Sequence, residues 1–583
     1  MEMRKILMMA SMAASVALGA HGEYTLSPGR GTLPEGVTTG NINGCVPDRR
    51  MYKNGWTDQG WGVGDYGSVS NAVICPSYMA IGEECMAALT LPAITIQEGE
   101  WLCWQSRAAY PIRQEQHTVE IRRAGDETWT EISNAKDSGS DWTFRMTDLS
   151  EYAGQQCEIR FICRSEKGYM LLLNGIRTYR PTEHSFECMN RAPKFFALNE
   201  AEDGKTSIDF SIRNTGAPAD AVKAVILIDG VPAAESDIES DWATDETRWF
   251  SLQIPMRLNE RTDYTIAIIN QEEETISFDE SFAFLTSKKR NLLVDEGTGM
   301  WCNNCPVGNL EMESLEETYG GSLIAVQTHN GDPLANDIYF SWLGYRAIPT
   351  MELNRVRATA GENSRKFKDY LCLPTEMAIE VTEMRVNDDG TLSVKAEVST
   401  SDLFSATDKT FRIGYVLTKD IDGNEDLTYY QSNYCSIATY RQYYYLPSHI
   451  PAMLCRFPNT SLPSTIASTS DDPSFTGIKE SLPERLEAGT TYSVSWDIPL
   501  PTGYTDFTGM RLVAYIINAG NRNIENSTAA YVDEYSGVET VIADRPGASP
   551  VEAIVSIDGR IMGNDIKTLQ PGIYIINGKK VKL

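Results

Sequence analysis

Two long stretches of this chain carry a pattern that suits β-strands. Short runs rich in Val, Ile, Thr, Tyr and Phe, broken by Gly, Asn and Asp turns, recur over residues 73–284 and again over 377–532. Successive strand side chains face opposite ways, so such runs bury one face each and pair as antiparallel sandwiches. Between them, over residues 291–373, the pattern changes to strand, helix, strand, helix, strand, the mark of an α/β unit. With 583 residues, 42% of them hydrophobic, the chain can fill several cores at roughly 100 to 200 residues each.

The first 22 residues read as a cleavable signal peptide. Arg4 and Lys5 precede an apolar run over residues 6–18, too short for a spanning helix, and the small residues Ala20 and Gly22 follow. No cysteine sits there to take a lipid, and no later run reaches about 18 apolar residues, so no integral membrane span is expected. The mature chain is expected to cross the inner membrane and to work at the outer membrane, on the cell surface or outside the cell. A net charge of −29 repels nucleic acid, and only five His are present. Neither a cofactor nor a metal site is expected.

The first folded unit, residues 23–185, contains Asp148-Leu149-Ser150-Glu151-Tyr152-Ala153-Gly154-Gln155, a strand over 157–163 and a run over 169–176. In these it resembles the choice-of-anchor J, or cleaved-adhesin, jelly rolls of secreted Bacteroidota proteins, except that Asn174 stands where those families usually carry Asp. The resemblance implies adhesion or glycan binding. Trp56, Trp61, Trp101 and Trp104 are expected to be core aromatics in preference to a sugar platform. Residues 190–288 read as an immunoglobulin-like spacer.

Twelve cysteines in an exported chain invite disulfides. Cys157 and Cys163 share a strand face with Ile159 and Phe161, and they lie roughly 20 Å apart along an extended chain. They cannot bridge each other and read as core thiols or as partners of other strands. Cys75 and Cys85 are spaced to close a loop. Seven cysteines in the first unit and its linker leave at least one that is free or paired elsewhere.

Chemistry concentrates in residues 291–306. An apolar strand ends in Asp295 and Glu296, a turn with Gly297 and Gly299 follows, and Trp301-Cys302-Asn303-Asn304-Cys305-Pro306 opens a helix on which Met312, Leu315 and Tyr319 repeat at helical spacing. A cysteine at a helix N-terminus has a lowered pKa, and a second thiol one turn on can resolve its mixed disulfides. Residues 323–326 read as a second buried strand, and 332–343 as a helix with Pro333 in its first turn. Ala347-Ile348-Pro349-Thr350-Met351 follows. In these features the segment is similar to the thioredoxin superfamily. With Thr328-His329-Asn330-Gly331-Asp332 it looks closer still to the Bacteroidota Omp-twenty-eight-related outer-membrane proteins, which pair a thioredoxin-like segment with a C-terminal β-domain. The resemblance implies Cys302 as attacking thiol, Cys305 as resolving thiol, Pro349 as a cis-proline, Trp301 as the flanking aromatic, and either Glu296 or Asp295 as the proton-relaying acid. His329 reads equally as a site residue or a plain loop residue.

The fold class expected is therefore multidomain and mainly β, with jelly-roll and immunoglobulin-like sandwiches and one central α/β thioredoxin-like domain. The thioredoxin-like domain spans 289–374 and a further β-sandwich spans 375–535. Over 545–583, Gly572-Ile573-Tyr574-Ile575-Ile576-Asn577-Gly578-Lys579-Lys580-Val581 spells strand, Asn-Gly turn, strand. This basic hairpin resembles the C-terminal sorting signals of the type nine secretion system, which makes that machinery an expected partner. The functional expectation is a surface thiol–disulfide oxidoreductase with a protein thiol client. The alternative is a non-catalytic adhesin, taking a surface glycan, with a structural Cys302–Cys305 disulfide. Deleting residues 547–583 should leave a soluble, folded protein in the periplasm, read by surface labelling of the truncated and full chains. Equal labelling contradicts the sorting role.

Overall fold

The computed structural model describes residues 24–52, 60–66, 69–79, 84–110, 113–137, 142–166, 168–220, 222–238, 241–270, 274–357, 363–405, 409–422, 430–433, 446–451, 454–463, 472–501 and 507–532, and the backbone of four short tail strands within 554–582. They fall into two compact units. The first comprises Met1–Thr286, Gly299–Tyr319 and Asp422–Arg456, the second Ser287–Thr298, Gly320–Ile421 and Phe457–Leu583, each over its described residues. The protein is mainly β, built from several sheets.

In the first unit, two antiparallel sheets of six and five strands enclose one core. The strand Gln156–Cys163 shows why these residues choose this architecture. Cys157, Ile159, Phe161 and Cys163 are all fully buried while Gln156, Glu158 and Arg160 face outward, so the period of two holds through Phe161, after which Ile162 on the other face is buried too. Arg160 and Glu120 pair across strands on the outer face. Trp61 and Trp104 belong to this core, as expected, whereas Trp101 is only half-buried and Trp56 lies outside the described residues. Trp104 stacks edge-on against Phe161 and donates its indole N–H to His117 Nε2 at 3.0 Å. A second sandwich follows in the same unit. Its three-stranded and six-stranded sheets close over Trp242, Phe210 and Ile212, and Lys194–Ala197 pairs in parallel with Ser281–Thr286.

The second unit is organised by one eight-stranded sheet. Its order runs Val356–Arg357, Thr350–Leu353, Leu292–Thr298, Leu323–His329, Arg456–Ser461, Phe411–Asp422, Met510–Asn518, Ile524–Tyr531. Leu292–Thr298 and Leu323–His329 are parallel, and Thr350–Leu353 is antiparallel to the first of them. The strands of 289–374 and those of 375–535 are thus hydrogen-bonded into one surface, joined where Gln327 pairs with Thr460. A three-stranded sheet of Met377–Val386, Thr391–Thr400 and Thr491–Pro499 shares a core with the later strands. In the tail, Ile573–Ile576 and Lys579–Lys582 pair as the antiparallel hairpin that the Asn-Gly turn implies.

His117 sets a pH limit on the first unit. Asp137 lies 3.5 Å from its Nδ1, but that carboxylate is also engaged by Arg145. Burial outweighs the pair and depresses the imidazole to about 4. The folded state therefore holds a neutral imidazole where the unfolded chain is protonated below about 6.5. Stability is retained above about pH 6.5 and falls as pH drops towards about 4, by about 3 kcal/mol in all. Denaturant unfolding across this range should show the loss in the wild type and a reduced slope in His117→Gln.

Candidate functional site

The expected site residues fall in both units, and each set stands on its own elements. In the first unit, the helix Cys305–Tyr319 buries Met312 and Leu315, with Tyr319 half-buried against Phe195. This is the apolar stripe read from the sequence. Pro306 sits in its first turn, where no backbone N–H is needed. Cys302 was expected to open this helix and instead occupies the turn before it. Its N–H donates to Gly299 O at 3.0 Å, and its carbonyl accepts from Cys305 N at 3.4 Å, so the amide is spent within the turn. Cys302 and Cys305 form a disulfide with Cα atoms 5.4 Å apart.

A short strand holds this turn in place. Gln431 donates from Nε2 to Cys302 O at 3.0 Å and to Gly299 O at 3.4 Å, and Ser432 N–H donates to Met300 O at 2.7 Å. The strand Tyr430–Ser432 pairs with His449–Pro451, and the Tyr430 ring lies 5.2 Å from that of His449. Cys302 is 6% exposed and Cys305 fully buried, whereas Trp301 is 50% exposed and Tyr430 43%. The turn therefore hides its sulfurs and shows its indole.

In the second unit, Asp295 and Glu296 are both fully buried, on opposite faces of Leu292–Thr298. Asp295 accepts from Tyr339 OH at 2.7 Å and lies 3.8 Å from the Arg355 guanidinium. Arg355 also donates to Tyr515 OH at 2.8 Å and to Ser474 O. Burial raises the Asp295 carboxyl, against the lowering influence of Arg355. Gly297 is on the same face, where a Cβ would run into the Tyr345 ring. Glu296 accepts from Gln327 Nε2 at 2.8 Å. The two acids that the sequence left as equivalents are thus distinct: Asp295 belongs to a buried cation network. The Ile348–Pro349 peptide bond is cis.

The second helix is shorter than expected. It spans Asp337–Leu343, because Asn336 caps it by accepting from Tyr339 N. Asp332 turns back instead, accepting from Leu334 N and pairing with His329 Nδ1 at 2.8 Å. His329 is buried, its ring against Phe457. Sequence reasoning missed Arg355 and Tyr515. A signal existed, since an acid inside an apolar strand needs a buried partner.

No family model and no curated protein matches the chain. Among solved structures, HBP35 of Porphyromonas gingivalis is similar at 16% identity over 51% of this chain and 99% of its own, with a TM-score of 0.31. The K1 cleaved adhesin domain of Lys-gingipain from Porphyromonas gingivalis W83 is similar at 18% identity, over 27% of this chain and 99% of its own, with a TM-score of 0.23. The K3 cleaved adhesin domain from the same organism gives 13% identity, 27% and 97% coverage, and a TM-score of 0.22. At these TM-scores the likenesses assign neither fold nor function to the chain.

Replacing Arg355 with Met removes the cation facing Asp295 and should destabilise the second unit by about 3 to 5 kcal/mol. The double change Asp295→Asn, Arg355→Met should recover part of that loss in chemical denaturation. Additive losses would show that the two residues do not act as a pair.

Proposed function

We propose that this is an exported surface protein of adhesin type, in which the Cys302–Cys305 bridge is a structural staple that shapes a turn presenting Trp301. One contrast carries the reading: both sulfurs are buried, while the neighbouring indole is half exposed. Thiol–disulfide exchange requires an attacking thiolate to reach a sulfur, so access limits it. Here the Gln431 amide and the Ser432 N–H also tie down the turn that carries Cys302. A half-exposed indole offers a flat apolar face with a polar edge, suited to stacking on a sugar ring. Tyr430 on the strand that holds the turn and His449 on the strand paired with it add aromatic surface.

The rest of the reading follows the sequence. Residues 1–22 act as the export signal, the basic tail hairpin as a type nine sorting signal, and 23–185 as a choice-of-anchor J-like module. Residues 289–374 are a thioredoxin-like segment of the Omp-twenty-eight-related kind, used as scaffold. A second reading, thiol–disulfide exchange, is favoured by the position of Cys305 at the first residue of its helix. In that case Cys302 attacks and Cys305 resolves, the roles that the resemblance to thioredoxins implies for them.

The two readings separate on paired variants of the full chain. Trp301→Ala should keep the melting temperature of the wild type and lose retention on a glycan array at least tenfold. Cys305→Ser, expressed in a periplasm, should trap no mixed disulfide. A trapped client, with array retention unchanged in Trp301→Ala, establishes the oxidoreductase instead.

A further inference from the structure

The first sandwich holds a second group of cysteines, unrelated to the Cys302–Cys305 turn. Cys75 is the penultimate residue of the strand Val69–Pro76 in the five-stranded sheet, and Cys163 ends Gln156–Cys163 in the six-stranded sheet. Cys85 lies just before the strand Ala87–Thr90, anchored where its N–H donates to Ser165 O at 3.0 Å. All three are buried, and their sulfurs lie within 4.8 Å of one another. None of the three is in a disulfide. Two sheets and a connecting segment thus deliver three thiols to one point at the end of the core.

We propose that Cys75, Cys85 and Cys163 form a buried thiolate site for a divalent thiophilic ion of the zinc class, with the Pro76 carbonyl oxygen as fourth ligand. Soft sulfur ligands select zinc or Cu(I) among the common metals. Zinc with Zn–S of about 2.3 Å and Zn–O of about 2.1 Å places its ligand atoms roughly 3.6 to 3.8 Å apart in a tetrahedron. Pro76 O lies 3.7 Å from Cys75 Sγ and 3.9 Å from Cys85 Sγ, close to that spacing. Charge favours the divalent ion, since three thiolates around it leave one net negative charge and around Cu(I) leave two, in a site closed to water. Binding releases the thiol protons still present.

The surroundings fit a ligand shell. Cys163 Sγ lies 3.5 Å from Ser165 Oγ, which donates to Glu115. Glu115 also accepts from Ser77 Oγ at 2.8 Å and Met170 N at 2.7 Å, so its position is fixed from several sides.

Cd²⁺ titration of the full mature chain, purified under a non-thiol reductant, tests the site through thiolate-to-metal charge-transfer absorption. One equivalent bound with that absorption is expected. It should survive in the Cys302→Ser, Cys305→Ser double variant and in Cys103→Ser, a buried cysteine outside the cluster, and be lost in Cys85→Ser. Because a core variant can fail to fold, peptide mapping of the untreated wild type gives an independent reading. Three mutually protected thiols that become alkylated only after chelation support the proposal. A disulfide between any two of the three, absorption that persists in Cys85→Ser, or no absorption in the wild type overturns it.

Discussion

Strand side chains alternate between two faces, and the arrangement of the chemistry in this protein depends on that constraint. In Gln156–Cys163 it sends two cysteines into the core and two charged residues outward. In Leu292–Thr298 it sends two adjacent carboxylates to opposite sides of a sheet, so that residues which look interchangeable in sequence meet different partners. Asp295 meets a guanidinium and a tyrosine hydroxyl, and Glu296 meets a neutral amide. A carboxylate that is buried survives only with such partners, which is why each of these acids is committed by its neighbours.

The Cys302–Cys305 turn follows a different logic, that of backbone hydrogen bonds. A turn that precedes a helix has amides and carbonyls to satisfy. Here Cys302 N–H is satisfied by Gly299 O, and three of the carbonyls, those of Gly299, Met300 and Cys302, by the Gln431 side chain and the Ser432 main chain. On the proposed reading, the covered bridge with an exposed indole beside it holds a shape that displays aromatic surface.

Much of this was legible in the sequence because it is local. Strand periodicity in 157–163, the apolar stripe Met312 and Leu315, and the Asn-Gly hairpin of the tail are each set by residues within a few positions of one another. The helix over 332–343 came out short because Asn336 outcompetes Asp332 as the cap once Asp332 is engaged by His329. What was not legible is what distant segments bring together. Arg355 reaches Asp295 across 60 positions, Gln327 pairs with Thr460, and Cys75 of one sheet meets Cys85 and Cys163 at the facing sheet. Trp101 and Trp104 share a strand, and only the register of the fold decides that Trp104 is the buried one.

The central claim is that Cys302–Cys305 is a staple, and its reduction potential in the folded, full-length protein tests that most directly. Equilibration in graded dithiol redox buffers, read by alkylation and mass mapping of these two residues, gives the value. The account predicts a potential below about −300 mV, as for structural disulfides of secreted proteins. A value in the range of roughly −120 to −270 mV, where dedicated dithiol oxidoreductases lie, contradicts it.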